Sequence, residues 1–102
     1  MMLDPQHRFY HDLSPSEQEH WTSLLKPHPA LAQTTALTNE AYRYVSTSYL
    51  ICEDDQALPV SVQEGFVKNA GVEIQTERCT AGHSPFLSMP ERVVEVVERL
   101  SW

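Results

Sequence analysis

Two acidic residues and one histidine follow consecutive strand-like runs of this sequence. Asp54 and Asp55 come directly after the β-branched and apolar run that ends at Cys52, and His83 follows a second run after a short loop through Gly82. If the runs form neighbouring parallel strands, about 4.8 Å apart, a carboxylate at the end of one can reach a histidine at the end of the other. The carboxylate would accept a hydrogen bond from the imidazole Nδ1–H and leave Nε2 free as a general base. The pattern therefore predicts an aspartate–histidine dyad.

The elements that must position this dyad are visible in the second half of the chain. The run from Ser46 to Cys52 predicts a buried strand, Pro59 opens a helix, and residues 72–78 predict a second strand. A final helix is indicated by Ser88 as N-cap with Glu91 three positions later. Alternating strands and helices require right-handed crossovers and a parallel sheet. The predicted fold class is α/β, with a short parallel sheet of about two strands and flanking helices.

Apolar spacing predicts which faces of the two later helices are buried. In the helix after Pro59, Val62, Phe66 and Val67 are expected to point inward, and Gly71 is expected at the C′ position. The spacing in the last helix predicts a buried stripe of Val93, Val94, Val96, Val97 and Leu100.

The 102 residues are predicted to form one compact domain made of two segments. Residues 1–45 read as a helical segment, and residues 46–102 form the strand, helix, strand, helix segment. Residues 1–13 predict an irregular arm, since Pro5 and mixed polar and aromatic residues show no helical period.

Helix signals begin directly after this arm. Ser14 as N-cap, Pro15 at the first helical position and Glu17 at the third form a capping box. Shorter helices are predicted over residues 30–35 and 39–45.

Charge and composition exclude several classes of protein. The chain carries 14 acidic and 7 basic residues, a net charge of −7, and no basic cluster, so nucleic acid would be repelled. No window approaches the ~20 apolar residues of a membrane span and the start lacks a secretory signal, which predicts a cytoplasmic protein.

Cys52 and Cys79 lack C-x-x-C spacing and predict reduced core thiols. His7 and His11 have the i, i+4 spacing of zinc ligands but no convincing third ligand, so surface or lid histidines, no metal and no cofactor are expected.

Three stretches of the chain resemble the C-terminal part of α/β-hydrolase-fold proteins, in the branch that contains plant methylesterases, hydroxynitrile lyases and their fungal relatives. The stretch "FYHDLSPSEQEHWTSLLKPHPAL" resembles the family's helical lid, "YLICEDDQALP" its acid-bearing strand and loop, and "AGHSPFLSMPERVVEVV" its histidine loop and terminal helix. In that family the acid stands four residues before the proline of the next helix, which here is Asp55 before Pro59, and the histidine stands in a short turn, here Gly82–His83. The resemblance thus implies an Asp55–His83 dyad and disfavours Asp54 as the partner.

The sequence departs from this family at the nucleophile. The G-x-S-x-G elbow and the oxyanion loop expected in the first half of such a protein are absent from these residues. In "GHSPF" the last glycine is replaced by Phe86, and Ser84 is expected to support the loop. Two interpretations remain open. Either the chain is a C-terminal part whose other half is missing or separately encoded, or it is a shortened paralogue without acyl-enzyme chemistry.

These features favour a small α/β-hydrolase-derived enzyme that acts on an organic small molecule by acid–base chemistry of a lyase, isomerase or cyclase type. His83 is the predicted general acid/base and Asp55 its orienting partner. Trp21, Phe86 and Leu87 are predicted substrate contacts, although the last two can equally seal the loop against the core. The alternatives are a serine ester hydrolase part that is inactive alone, and a non-catalytic interaction module.

The predicted sheet also bears on assembly. Two parallel strands bury little of themselves and leave both outer edges unpaired, an exposure that natural proteins cover or pair. A symmetric partner is the commonest solution, so a homodimer is predicted.

Overall fold

A computed structural model describes residues 4–100 of the chain. The elements in this part are, in chain order, α1 (Pro5–Tyr10), α2 (Pro15–Ser23), α3 (Leu31–Thr34), a 3₁₀ turn (Ala41–Arg43), β1 (Ser48–Cys52), α4 (Val60–Lys68), β2 (Gln75–Cys79), α5 (Pro85–Ser88) and α6 (Pro90–Leu100). No helix among these residues is both long enough and apolar enough to cross a membrane.

The sheet positions the candidate site. β1 and β2 pair in parallel, with Cys52 opposite Cys79, and α4 forms the crossover between them. The ladder continues past the strands, because the N–H of Glu53 donates to the Cys79 carbonyl at 2.9 Å and the N–H of Asp54 to the Ala81 carbonyl at 3.1 Å. The loops after the two strands therefore leave the sheet side by side. The predicted α/β class with a short parallel sheet is confirmed.

The core around these strand ends is small. Cys52, Cys79 and Ala81 form its buried cluster, and Leu50 and Met89 pack against it. Both cysteines are free thiols, as the sequence predicts. Small side chains allow the loops to approach the sheet closely, so this cluster lies directly beneath the loop residues that carry chemistry.

The predicted buried faces of the two later helices are partly wrong. In α6, Val96 is buried, whereas Val94 and Val97 are 54% and 58% exposed. In α4, Val62 and Phe66 are exposed, and the buried side chain is the polar Gln63. A sheet of two strands is too narrow to cover the full apolar stripe of both helices, so only a few positions of each stripe reach the core.

The predicted helix boundaries in the second half of the chain are also partly wrong. α6 begins at Pro90 rather than after Ser88, which is instead the last residue of α5. Proline suits the first helical position because its missing N–H has no intrahelical partner there. At the end of α4 the C-cap is Asn69, so Gly71, with a φ of 79°, lies one position beyond the predicted C′.

The described part of the first half differs from the prediction at both ends. Residues 5–10 form α1, not an irregular arm, because Pro5 occupies the first helical turn and the Asp4 side chain accepts a hydrogen bond from the N–H of His7. The Ser14 cap of α2 is confirmed, since its hydroxyl accepts from the N–H of Glu17 at 3.3 Å. The helix predicted over residues 39–45 shortens to the 3₁₀ turn, as the following residues have poor helix propensity.

Candidate active site

The loops after β1 and β2 bring Asp55 and His83 together. Nδ1 of His83 lies 2.9 Å from Oδ2 and 3.1 Å from Oδ1 of Asp55. The carboxylate is 5% exposed and the imidazole 36% exposed, so the acid is enclosed while the base reaches the surface. Within the described residues both hydrogen bonds of this ring involve Nδ1, which leaves Nε2 available to a substrate. This arrangement can orient an imidazole and stabilise its protonated form during proton transfer.

The acid loop folds around the Asp55 carboxylate. Its Oδ1 accepts hydrogen bonds from the N–H groups of Ala57 and Leu58, both at 2.8 Å. Aspartate forms such turns readily because its short side chain competes for nearby backbone donors. These two bonds hold the carboxylate in one orientation, with Oδ2 directed at His83.

A buried amide supports the same loop from below. Gln63 is 1% exposed, and its Oε1 accepts from the N–H of Cys52 at 2.8 Å. Its Nε2 donates to the carbonyls of Cys52 at 2.9 Å and Leu58 at 2.7 Å. Gln63 therefore satisfies backbone groups at the end of β1 that face away from β2, and it joins α4 to the acid loop. The sequence interpretation missed this residue, whose one signal is a polar side chain inside an apolar helical stripe.

The histidine loop is held by residues of α1 and its C-terminal end. Phe9 stacks on the His83 ring with centroids 5.0 Å apart, and Asp12 Oδ2 accepts from the N–H of Gly82 at 2.8 Å. His11 Nε2 lies 2.9 Å from Asp54 Oδ2, and its side chain is only 16% exposed. Of the two predicted places for His11, surface or lid, the structure does not support a freely exposed surface position, and Asp54 has a histidine partner of its own.

A surface cavity of about 340 Å³ adjoins the dyad. It is a shallow depression that is largely open to solvent. Besides Asp55 and His83, the residues lining it include Tyr49, Leu58, Pro85 and Phe86. Burial raises the pKa of Tyr49, so its hydroxyl remains a hydrogen-bond donor at neutral pH.

The other two predicted substrate contacts lie elsewhere. Leu87 and Trp21 are not among the residues that line this cavity, and the Trp21 ring packs edge-on against His20 with centroids 4.9 Å apart. Contact of these two residues with a substrate stays a prediction.

The Cys52 thiol does not offer a rival nucleophile, and it lies beside Cys79. Their sulfur atoms lie 3.9 Å apart in the core. Burial, together with the neighbouring Cys79 thiol, raises the pKa of Cys52 to about 12. The thiolate is the reactive form of cysteine, and Cys52 is therefore unreactive at neutral pH. Among residues 4–100, no group of three or more histidine, cysteine or acidic side chains is placed to hold a metal ion.

Comparison with known proteins defines the class of this chain. The sequence matches the α/β hydrolase family over residues 1–96, and the chain belongs to that family. It is 35% identical over 88 residues to the alpha/beta hydrolase nvfD of Aspergillus novofumigatus, an alignment that covers 86% of this chain and 35% of that protein. It is also 35% identical over 74 residues to norfluorocurarine synthase 2 of Strychnos nux-vomica, covering 69% of this chain and 28% of that protein.

A solved structure shows the same fold. The crystal structure of polyneuridine aldehyde esterase superimposes with a TM-score of 0.82 at 24% identity, covering 100% of this chain and 43% of that one. The chain thus spans about a third of the length of these two curated relatives. The resemblance to the α/β-hydrolase superfamily is confirmed.

Proposed function

We propose that this chain performs proton-transfer chemistry on an organic small molecule, with His83 as the general acid/base. The observation that carries the proposal is a partly exposed imidazole, bonded through Nδ1 to an enclosed carboxylate, that lines an open surface depression. Its relatives include a protein named as a synthase and a fold neighbour named as an esterase, which fits an enzyme of this family. The residues favour lyase, isomerase or cyclase chemistry.

The roles of the residues follow from their contacts. Nε2 of His83 takes a proton from a C–H or O–H group of the substrate, and the Asp55 carboxylate stabilises the imidazolium that results. The same nitrogen then returns the proton to a leaving group or to another atom of the substrate, so elimination, isomerisation or ring closure is completed without net oxidation. Tyr49 is positioned on the cavity wall to donate a hydrogen bond to a substrate oxygen. Such a base contributes about 10²–10⁴-fold in rate.

A second candidate function is acyl transfer on a serine supplied by residues outside this sequence. It is favoured by the fold neighbour named as an esterase, of which this chain covers 43%. In that case the same dyad would activate the serine hydroxyl rather than the substrate directly.

A serine-directed probe tests whether any serine of this chain acts as a nucleophile. We expect the purified chain to resist labelling by a fluorophosphonate and to show no burst with p-nitrophenyl acetate, because it contains no nucleophile elbow and Ser84 beside His83 is only 3% exposed. Mass spectrometry of the treated chain gives the answer, with Ser16→Ala on the exposed start of α2 as the matched control for Ser84→Ala. Stoichiometric labelling of one serine, lost only in that serine's alanine variant, would show a nucleophile within this chain and contradict proton transfer without one.

We further propose that the chain acts in the cytoplasm as a homodimer. One face of β1 and α6 line an open apolar groove of about 380 Å³, and its lining residues are Ser48, Leu50, Val93, Val96, Val97 and Leu100. Apolar residues of the first segment are also exposed, among them Leu31 at 73% and Leu37 at 75%. Exposed apolar surface of this extent is typical of protein interfaces.

We expect light scattering at micromolar concentration to give twice the chain mass of 11.6 kDa. Val97→Asp, which places a charge in the groove, should shift the particle toward the single-chain mass because an unpaired charge is costly to bury. Glu98→Asp, next along the helix, is the control. A well-folded particle of 11.6 kDa in the unaltered chain would contradict the dimer.

A further inference from the structure

We propose that His11 and Asp12, which directly follow α1, are positioning residues that hold the histidine loop against the acid loop. The proposal rests on the Asp55–His83 dyad of the proposed function, but it does not depend on which reaction the dyad performs. Neither residue contacts the cavity, so both would act through the backbone and side chains that they bind.

The first contact fixes the backbone next to His83. Asp12 Oδ2 accepts a hydrogen bond from the N–H of Gly82 at 2.8 Å, a contact between residues 70 positions apart in the chain. Gly82 is buried and precedes His83 directly, so this bond limits the rotation of the peptide that carries the imidazole. A bond between a carboxylate and a backbone N–H is charge-assisted and stronger than a neutral one.

The second contact fixes the acid loop to the same segment. His11 Nε2 lies 2.9 Å from Asp54 Oδ2, and Asp54 is the neighbour of Asp55 in the chain. The backbone of Asp54 also donates to Ala81 in the histidine loop. One pair of adjacent residues thus binds both loops, one through each side chain.

The packing at Gly82 shows how closely this segment fits. A Cβ atom at position 82 would lie 2.5 Å from Cε1 and 2.8 Å from Nδ1 of His11, and 3.2 Å from Cγ of Asp12. A side chain at this position would displace His11 from Asp54. The contacts of His11 and Asp12 with the two loops therefore favour glycine before His83.

The third contact comes from α1 itself. Phe9 stacks on the His83 ring, with 29° between the two planes, while Asp55 binds the Nδ1 edge of the same ring. With its backbone neighbour held by Asp12, the imidazole has contacts that define its position, its plane and its rotation. Removal of the Asp12 carboxylate should therefore loosen the hydrogen bond from His83 Nδ1–H to Asp55, although both partners of that bond are still present.

Nuclear magnetic resonance on the full chain tests the proposal at single residues. We expect His83 in the unaltered chain to show one tautomer, protonated at Nδ1, and the Gly82 amide to be protected from hydrogen exchange. Asp12→Ala should speed exchange at Gly82 about tenfold or more and give His83 a mixture of tautomers, because a lost bond of ~1.4 kcal/mol corresponds to a factor of ten. Asp12→Asn, which retains an acceptor oxygen, should restore both signals. Glu19→Ala on the exposed face of α2 is the control.

Asp54→Ala provides a second, milder variant, because the Asp54 side chain is 62% exposed and its loss leaves Asp12 untouched. It should also mix the His83 tautomers. The proposal is overturned if Gly82 exchanges freely in the unaltered chain, if the Ala variants that fold leave both signals unchanged, or if Asp12→Asn folds and restores neither. None of these readouts uses turnover, so a chain with the expected signals and no activity would count against the proposed function alone.

Discussion

Replacing His83 by alanine is expected to lower proton-transfer activity by about 10²–10⁴-fold while the chain remains folded. The imidazole is more than a third exposed, so its truncation opens little buried space. The assay follows exchange of the acidic α-C–H of an aryl ketone for deuterium in D₂O, which requires only a positioned base. His28→Ala, at an exposed histidine far from the dyad in sequence, is the control. It shows whether the removal of any imidazole from the chain lowers the exchange rate.

Asp55→Asn is expected to reduce the same exchange reaction to a similar extent. The asparagine oxygen can still accept from Ala57 and Leu58, so the turn is retained. Its NH₂ group would then face Nδ1 of His83, which favours the tautomer with the proton on Nε2 and removes the base. Equal exchange rates in the parent chain and in folded His83→Ala would refute the assignment of His83 as the base.

The sequence allows the sheet and its loops to be predicted because parallel pairing has a simple geometry. Strand-like runs separated by one helix must lie side by side, and polar residues directly after them must meet at one edge of the sheet. The choice between Asp54 and Asp55 depends on the resemblance to α/β hydrolases, since adjacent acidic residues are equivalent in spacing alone. In the structure Asp55 lies against His83 and Asp54 against His11. That the first pair is catalytic stays a prediction.

The residues that support the dyad could not be predicted in the same way. Asp12 and Gly82 are separated by 70 positions, and a hydrogen bond between them produces no repeating pattern of residue types in either segment. The sequence prediction for His11 rests on its spacing from His7, which is a local feature, whereas its partner Asp54 lies 43 positions away. Local patterns predict elements, but contacts between loops depend on how the elements are packed.

The prediction of the buried helix faces is partly wrong for a different reason. Hydrophobic periodicity predicts the side of a helix that is apolar, and it does not measure how much of that side a narrow sheet can cover. Val62 and Phe66 belong to the apolar stripe of α4 and remain exposed, while Gln63 beside them is enclosed. The edge of β1 presents polar backbone groups, and a polar side chain is what can satisfy them.

Gln63→Leu is therefore expected to destabilise the fold by about 2–4 kcal/mol. Leucine has a similar volume, so the change removes hydrogen bonds without opening a large cavity. The N–H of Cys52 and the carbonyls of Cys52 and Leu58 would lose their bonds to the amide in a site where Gln63 is 1% exposed. Each buried group without a partner costs ~1–3 kcal/mol, partly offset where water enters. Stabilities of small domains are only ~5–15 kcal/mol, so the loss is a large fraction of the total.

Urea denaturation measures this loss, with Gln33→Ala on the exposed face of α3 as the control. Gln63→Glu tests the donor of the amide separately, because an ionised carboxylate keeps the acceptor for the N–H of Cys52 but cannot donate to the two carbonyls. We expect it to be no more stable than the leucine variant, since it adds a buried charge to the lost donor. A Gln63→Leu chain with an unchanged urea midpoint would mean that the end of β1 is satisfied without α4. The acid loop would then owe its position to the Asp55 turn and to His83 alone.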